Sequence, residues 1–478
     1  MISAVTFTER FFDEYTMTPS RTLFNALFLA TASFCSAVAA EGIEPLPDAA
    51  PGNAGLGIAL KITASPYLGG GARSDLMPVY LYEGERIFLH TNRAGVKLYG
   101  EGNSQDSQRF DAFVEQRLEG FASNKIPTGL NGVAPRNSGT DFGLSYRTNQ
   151  SWGTLRAELL RGVGGASRGT EAKLGYSYEW RSGPWSLTPN VSVSWRDAKL
   201  NDYYYGVRPF EAVAGRAAYS AGAGLQSQLG LYGTYDLSQR WRLTTGVSAT
   251  LLSASVANSP IVQKRILPAI YVGAAYDFGS PKKPGDQAAT PTYFKLLYGK
   301  ATEDGCHLAR IITARCLSTA KVNATNVVGV QVGKPFVEKL NGWPLDVVGY
   351  VGLTYHDERG LQPNGAQLDV FMKGFYYGFP WSDRVKTRLG LGIGLSAAQR
   401  VPYTEVLSQT GKTTSRMLSY LDPTIDVNVG DVFGAKSLKD TFVGFGVSHR
   451  SGVFGASRLL GNVSGGSNYI YTYVETAF

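Results

Sequence analysis

The strongest constraint on this chain is a hydrophobic period of two with no long apolar run. In Thr170–Trp180, TEAKLGYSYEW, the even positions are Ala172, Leu174, Tyr176, Tyr178 and Trp180. The odd positions are Glu171, Lys173, Gly175, Ser177 and Glu179. In Trp185–Arg196, WSLTPNVSVSWR, the apolar set is Trp185, Leu187, Val191, Val193 and Trp195, and RSGP between the two segments reads as a tight turn. RWRLTTGVSATLL repeats the pattern, with Trp241, Leu243, Val247, Ala249 and Leu251 set against Arg242, Thr244, Ser248 and Thr250. A period of two gives each strand one apolar and one polar face. No stretch in the body of the chain reaches the ~20 apolar residues of a transmembrane helix, whereas a membrane-crossing strand needs only ~9–11. The expected class is all-β.

The apolar face meets either a soluble core or lipid. Two features favour a transmembrane antiparallel β-barrel, which turns that face outward and keeps a polar lumen. Aromatics stand at strand ends in YSYEW and VSVSW, where an interfacial girdle lies. The chain also ends on an alternating strand, NYIYTYVETAF, closed by Phe478. That ending resembles the assembly signal of bacterial outer-membrane barrels, which implies the outer-membrane assembly machinery as a partner. A soluble two-domain β-protein is the remaining alternative.

The N-terminus agrees with export. After Met17, Arg21 supplies a charged region, Leu23 to Ala32 an apolar one, and Ala37-Val38-Ala39 a small-x-small cleavage site. Residues 1–39 read as a signal peptide, with Met17 as a candidate start because MISAVTFTERFFDEY carries three acids. Cys35 leaves with it. Cys306 and Cys316 remain, in GCHLARIITARC, and in an oxidising compartment this even pair reads as a disulfide. Zinc is the alternative because of His307, but a fourth ligand is missing. The sequence calls for no cofactor. The formal charge of +8 comes without an arginine-rich helix or base-reading motif, so nucleic acid is not an expected partner.

One internal boundary stands out. AIYVGAAYDF, 269–278, reads as a closing strand, and GSPKKPGDQAATPT, 279–292, reads as a linker by composition. The mature chain divides there into about 230 and about 186 residues, enough at roughly 20 residues per strand and turn for about 10–12 and 8 strands. One barrel of about 20 strands is the rival arrangement.

Residues 52–279 resemble the MltA-interacting protein/OmpV family of outer-membrane proteins. The residues that carry this are SPYLGGGARSDLMPVYLYEGERIFLHTNRAGVKLY, LNDYYYGV, AAYSAGAGLQSQLGLYGTYDLSQRWRLTTGVSATLLSASVANSPIV and AAYDF. The resemblance implies an outer-membrane barrel. One member is taken as a scaffold between murein-processing enzymes, which makes such enzymes candidate partners. In this half, His90 reads as a hydrogen-bonded strand histidine, and Tyr203, Tyr204 and Tyr205 as a rim or girdle cluster.

In the second half, 293–478 after a linker at 280–292, alternation fixes the faces. In Thr441–Ser451, Val443, Phe445 and Val447 share one face. His449 and Ser451 have the same parity and so point outward, at the end of the lipid stripe. Counting back from Phe478, Thr476, Val474, Thr472, Ile470 and Asn468 point outward, and Tyr469, Tyr471, Tyr473 and Glu475 inward. With the C-terminus on the periplasmic side, His449, Ser451 and Asn468 all lie near the extracellular end, and 452–467 is an extracellular loop. Residues i and i+2 of a strand are about 6.6 Å apart, within reach of an imidazole. Ser451 is then a candidate nucleophile, His449 its base and Asn468 the group that orients the imidazole.

This arrangement resembles the PagL type of lipid A deacylase, an eight-stranded barrel with an outward His-x-Ser and a third residue on the final strand. The resemblance implies acyl-ester hydrolysis on outer-membrane lipid, with lipid A as substrate. Three departures weaken it: Asn468 replaces an acid, Gly452 stands where the family has Asn, and the loop before Asn468 is longer. The plainer reading makes these residues polar rim groups of a non-catalytic scaffold or channel. His356 competes as a histidine, but Asp357, Glu358 and Gly360 beside it mark a turn.

Overall fold

The computed structural model describes residues 54–84, 86–100, 106–163, 166–278, 291–408, 414–453, 456–457, 459–461 and 463–478. The expected signal peptide and nearly all of the 280–292 linker lie outside these. Among the described residues no helix is long and apolar enough to cross a membrane.

The strands form two closed antiparallel barrels. The first uses β1 (Ala54–Ala64), β2 (Ala72–Glu83), β3 (Ile87–His90), β4 (Arg93–Tyr99), β5 (Ser107–Arg117), β6 (Gly139–Gln150), β7 (Gly153–Gly162) and β8 (Thr170–Ser177). Next come a short β9 (Trp180–Ser182), β10 (Trp185–Arg196), β11 (Gly224–Asp236), β12 (Trp241–Leu251) and β13 (Ile266–Asp277). The segment read as one strand from Thr170 to Trp180 breaks at Tyr178 and Glu179 into β8 and β9, both paired with β10. Leaving β9 aside, twelve strands close when β13 pairs with β1, from Gly55↔Asp277 to Thr63↔Ala269, and β10 pairs with both β8 and β11.

The second barrel is β14 (Tyr293–Ala301), β15 (Asn326–Val337), β16 (Leu345–Asp357), β17 (Gly365–Tyr376), β18 (Thr387–Ala398), β19 (Met417–Asn428), β20 (Thr441–Ser451) and β21 (Gly466–Ala477). It closes through β14–β21, from Tyr293↔Ala477 to Ala301↔Tyr469. A single barrel of about 20 strands is thereby ruled out, and with it a soluble sandwich.

Alternation decides which side each residue takes. On β12, Trp241, Leu243, Val247 and Leu251 are exposed on the outside, and Thr244, Ser248 and Thr250 are buried within. This inversion of a soluble protein's pattern suits a lipid surround. On β21, Tyr469, Tyr471, Tyr473 and Glu475 are all buried inside, as parity requires.

The eight-stranded lumen is packed rather than open. Tyr350, Phe371, Phe375 and Tyr420 fill part of it. Several charged residues there are paired. Arg388 binds Glu475 at 2.7 Å and Asp426 at 2.8 Å, Lys373 binds Asp422 at 2.6 Å, and Lys295 lies 3.5 Å from Glu475. Tyr350 donates to Glu475 at 2.9 Å, and Tyr471 and Tyr473 donate to Asp422 and Asp426.

Long connections on one end of the first barrel form a cap. Tyr67, Leu130, Val133, Leu200, Tyr204, Val207 and Ile261 pack into one core. Tyr204 and Tyr205, expected at a rim or girdle, are instead interior residues of this cap, at 0% and 1% exposure. They lie on a helix, Ala198–Tyr205, whose N-cap Asp197 accepts from the Leu200 N–H. Beneath it, Arg136 binds Glu211 through Nη1 at 2.9 Å and Nη2 at 2.7 Å, with both side chains buried.

The two barrels touch along β2. The Tyr80 hydroxyl donates to the Gly394 carbonyl at 3.0 Å, and Tyr82 contacts the Phe336 ring. Leu459, Leu460 and Val463, in the connection after β20, pack against Tyr80, Leu395 and Leu418. The Leu76 N–H of β2 donates to the Ala456 carbonyl at 3.0 Å. The expected extracellular loop is thus partly an inter-barrel seal, formed because β3 and β4 are too short to cover the upper edge of β2.

Two outcomes follow from these ion pairs. Glu475→Ala leaves Arg388 and Lys295 buried with less compensation, and lowers unfolding stability in urea by about 3–5 kcal/mol. Burial alone would push the Glu211 carboxyl up. Hydrogen bonds from Arg136 and from the Arg208 and Ala134 N–H groups outweigh this and hold it at about 2. Its contribution is complete above the usual carboxylate range and is lost as pH falls towards 2. The thermal midpoint therefore drops more steeply between pH 5 and pH 2.5 in the native protein than in Glu211→Gln.

Candidate functional site

His449 and Asn468 stand directly opposite each other on β20 and β21. His449 Nδ1 is 2.7 Å from Asn468 Oδ1. Asn468 Nδ2 donates to the Cys306 carbonyl at 3.2 Å. A carbonyl only accepts, so this second bond fixes which way the amide points and leaves Oδ1 for the imidazole. Oδ1 accepts from Nδ1–H, and in this tautomer Nε2 carries the lone pair; the ring also engages the Ser467 backbone.

Ser451 follows two residues on, paired with Gly466 on one side and Ser419 on the other. His449 and Ser451 are both half-buried on the outer face that carries Val443 and Phe445. Among the described residues no hydrogen bond joins His449 to Ser451. The Ser451 Oγ accepts from the Val453 N–H at 3.3 Å, which leaves its own proton free to be donated. Val453 sits at φ 49°, a left-handed conformation that a β-branched residue rarely adopts. The Gly452 N–H donates to the Gly465 carbonyl at 3.1 Å, so it is already engaged. A Cβ at Gly452 would approach the Val463 carbonyl oxygen to 2.0 Å, so glycine permits this close crossing.

A disulfide loop covers part of this face. Cys306 and Cys316 are bonded, with Cα atoms 5.6 Å apart, so both sulfurs are removed from the zinc alternative. Between them His307 precedes a helical turn, Leu308–Ile312. Cys306, Ile311 and Val447 form a buried cluster with Leu308 and Ile470 against it. Val447, expected on the lipid face, has the expected direction but is covered by this loop. The sequence did hold a signal for this docking: Leu308 and Ile311 are too apolar for a free polar loop, although Ile312 beside them stays exposed.

The other histidines are structural. His90 Nε2 lies 2.8 Å from Glu83 Oε2, and Glu83 Oε1 binds Lys97 and Arg109, each at 2.6 Å. His356 does not stand in a turn. It is the penultimate residue of β16, buried in the lumen, with Nε2 at 2.9 Å from Gln367 Oε1 and Nδ1 at 3.4 Å from the Tyr469 hydroxyl. The turn begins after Asp357 because His356 still pairs with Val327 and Gly365.

The disulfide closes a short loop, for which chain entropy gives about 3 kcal/mol. Replacing both cysteines by serine should free the loop from β20 and β21. Tryptic cleavage at Arg310 and Arg315 should then rise at least ~10-fold, the factor corresponding to about 1.4 kcal/mol. An unchanged rate would mean that apolar packing alone holds the loop.

Comparison with known proteins bears on the first barrel. Residues 56–278 match the family model described as MltA-interacting protein MipA. Outer membrane protein Omp26La of Vibrio anguillarum is 30% identical over 197 residues, which cover 41% of this chain and 76% of that protein. The MltA-interacting protein of Escherichia coli (strain K12) is 26% identical over 230 residues, 48% of this chain and 92% of that protein. Among solved structures, the copper transporter OprC aligns with 91% of this chain and 81% of its own at 12% identity, but its TM-score of 0.23 is too low to support any argument. The matched stretch coincides with β1 to β13, and the chain crosses the membrane with strands. The chain belongs, through its N-terminal barrel, to the MltA-interacting protein MipA family of outer-membrane β-barrel proteins.

Proposed function

We propose that the C-terminal barrel hydrolyses an acyl ester of an outer-leaflet lipid, with lipid A as the substrate. The observation that supports this most is the His449–Asn468 bond of 2.7 Å on the outward face, beside Ser451. A rim histidine needs no oriented amide, whereas a general base does. A nucleophile aimed at lipid acts on lipid. The resemblance to PagL-type barrels in the last two strands supports the same reading.

In the proposed reaction, His449 Nε2 takes the Ser451 hydroxyl proton as Oγ attacks the ester carbonyl carbon. The tetrahedral intermediate collapses, the sugar oxygen leaves with the proton from His449, and the acyl group stays on Oγ. Water then attacks the acyl carbonyl, His449 again relays the proton, and a free fatty acid departs. Asn468 stabilises the imidazolium less than a carboxylate would, so turnover should be slow. The Val453 N–H, which donates to Oγ at 3.3 Å, is a backbone donor that would act in place of the side chain missing at Gly452.

A second reading concerns the other barrel. The Escherichia coli relative is named for its interaction with MltA, which supports a murein-processing enzyme as a partner of the N-terminal barrel. That scaffold role is compatible with hydrolysis in the second barrel and also stands without it.

Lipid A from cells expressing the protein, analysed by mass spectrometry, separates the two. Hydrolysis predicts loss of one ester-linked acyl chain. The loss should be abolished by Ser451→Ala and His449→Ala and slowed ~100-fold by Asn468→Ala. Unchanged lipid A from folded, surface-accessible protein would eliminate the esterase and leave the scaffold.

A further inference from the structure

Ester hydrolysis at Ser451 needs one more group than the site has so far supplied. As Ser451 Oγ bonds to the ester carbon, the carbonyl electron pair moves onto oxygen, and that oxyanion needs donors aimed at it. The Val453 N–H is one. Gly452 brings no side chain, and its N–H is held by the Gly465 carbonyl. A second donor has to come from another strand.

The register places one beside the nucleophile. Ser419 of β19 stands directly opposite Ser451 of β20. Opposite residues share a face and have Cβ atoms about 4.5–5.5 Å apart. The outward row of β19 is Met417, Ser419, Leu421, Pro423, Ile425 and Val427, so within it only Ser419 carries a hydroxyl. Ser419 also flanks Ser451 on the side away from the base. The His449 ring is held towards β21, where Asn468 Oδ1 binds its Nδ1. The β19 side is thus left for the carbonyl oxygen of a bound ester.

Although it belongs to the lipid-facing row, Ser419 is only 6% exposed. Tyr80 of the first barrel lies against it. The Tyr80 hydroxyl donates to the Gly394 carbonyl at 3.0 Å. The Ser419 hydroxyl reaches the same carbonyl only at 3.4 Å, and its side chain also engages Tyr80. Tyr80 has committed its proton to Gly394, so it offers Ser419 only a lone pair. The Ser419 proton is therefore left with neutral acceptors, one of them distant and shared. A charged oxygen accepts roughly twice as strong a hydrogen bond, and burial strengthens it further. An oxyanion formed at Ser451 draws the Ser419 hydroxyl to itself.

We propose that Ser419 is the side-chain oxyanion donor of this site, and that Tyr80, reaching across from the first barrel, is its positioning residue. The inference rests on the esterase reading of Ser451. It makes the first barrel part of the second barrel's active site: Tyr80 satisfies the Gly394 carbonyl and so releases Ser419 for the intermediate. When the intermediate collapses, the C=O bond re-forms, the sugar oxygen leaves with the His449 proton, and the Ser419 hydroxyl returns to Gly394. Ser419 keeps its own proton throughout.

The test measures initial rates of fatty-acid release from lipid A in mixed detergent micelles by the full-length mature protein. Native protein and Ser451→Ala define the esterase. Ser419→Ala should lower kcat ~100-fold with KM unchanged, the effect of losing one oxyanion donor. Ser419→Thr, which keeps a hydroxyl, should recover most of that loss. Tyr80→Phe should lower kcat roughly 5-fold, the worth of one ordinary hydrogen bond. It should have no further effect in a Ser419→Ala background, because Tyr80 acts through Ser419. Tyr82→Phe, at the same seam, should leave kcat unchanged. Folding is judged by heat-modifiable gel migration, and Ser419→Cys, close in size and a poor donor, replaces Ser419→Ala if that variant does not fold. If the native protein releases fatty acid, Ser451→Ala does not, and folded Ser419→Ala keeps the native kcat, this inference is overturned and the esterase stands. If the folded native protein releases none, both fail.

Discussion

The structure depends on closing the backbone hydrogen-bond ladder. In hydrocarbon every N–H and C=O must find a partner within the protein, and a sheet does so only when its edges meet. The chain closes two ladders, through β1–β13 and β14–β21. Closure forces alternate side chains inward, and in an eight-stranded barrel there is just room for them to pack. Charges trapped there, such as Glu475, Arg388 and Lys373, must be paired because solvent is absent. The same alternation puts Val443, Phe445, His449 and Ser451 outside.

Closure also explains the contact between the barrels. Where β3 and β4 fall short, the upper edge of β2 needs acceptors that its own barrel does not supply. Ala456 from the second barrel provides one, and Leu459, Leu460 and Val463 exclude lipid around it. The segment that begins just after Ser451 therefore seals the neighbouring barrel. The outward pair His449 and Ser451 thus sits between two covers, this seal and the disulfide loop.

Much of this was legible in the sequence. Period-two alternation gave the all-β class, the inward Tyr469–Glu475 set and the outward direction of His449. Counting from Phe478 put Asn468 on the outward face of the last strand, near the same end as His449. What local pattern could not reveal was tertiary. Tyr204 and Tyr205 looked like girdle residues because tyrosine suits an interface, yet cap packing buried them. His356 looked like a turn residue because acids and glycine follow it, yet cross-strand pairing extends β16 through it. The Cys306 carbonyl that orients Asn468 is a long-range contact, invisible to spacing. So is the pairing of Ser419 with Ser451, which exists only once the register of β19 and β20 is known.

The central claim is that the second barrel turns Phe445, His449 and Ser451 to lipid and Tyr471 to a packed lumen. Nitroxide labels placed singly at Phe445, Ser451 and Tyr471 in reconstituted protein test it through collision with oxygen and with a polar nickel reagent. The account predicts strong oxygen and weak nickel collision at 445, a shallower outer-leaflet depth at 451, and little collision with either at 471. A label at 445 that collides mainly with the nickel reagent would contradict it.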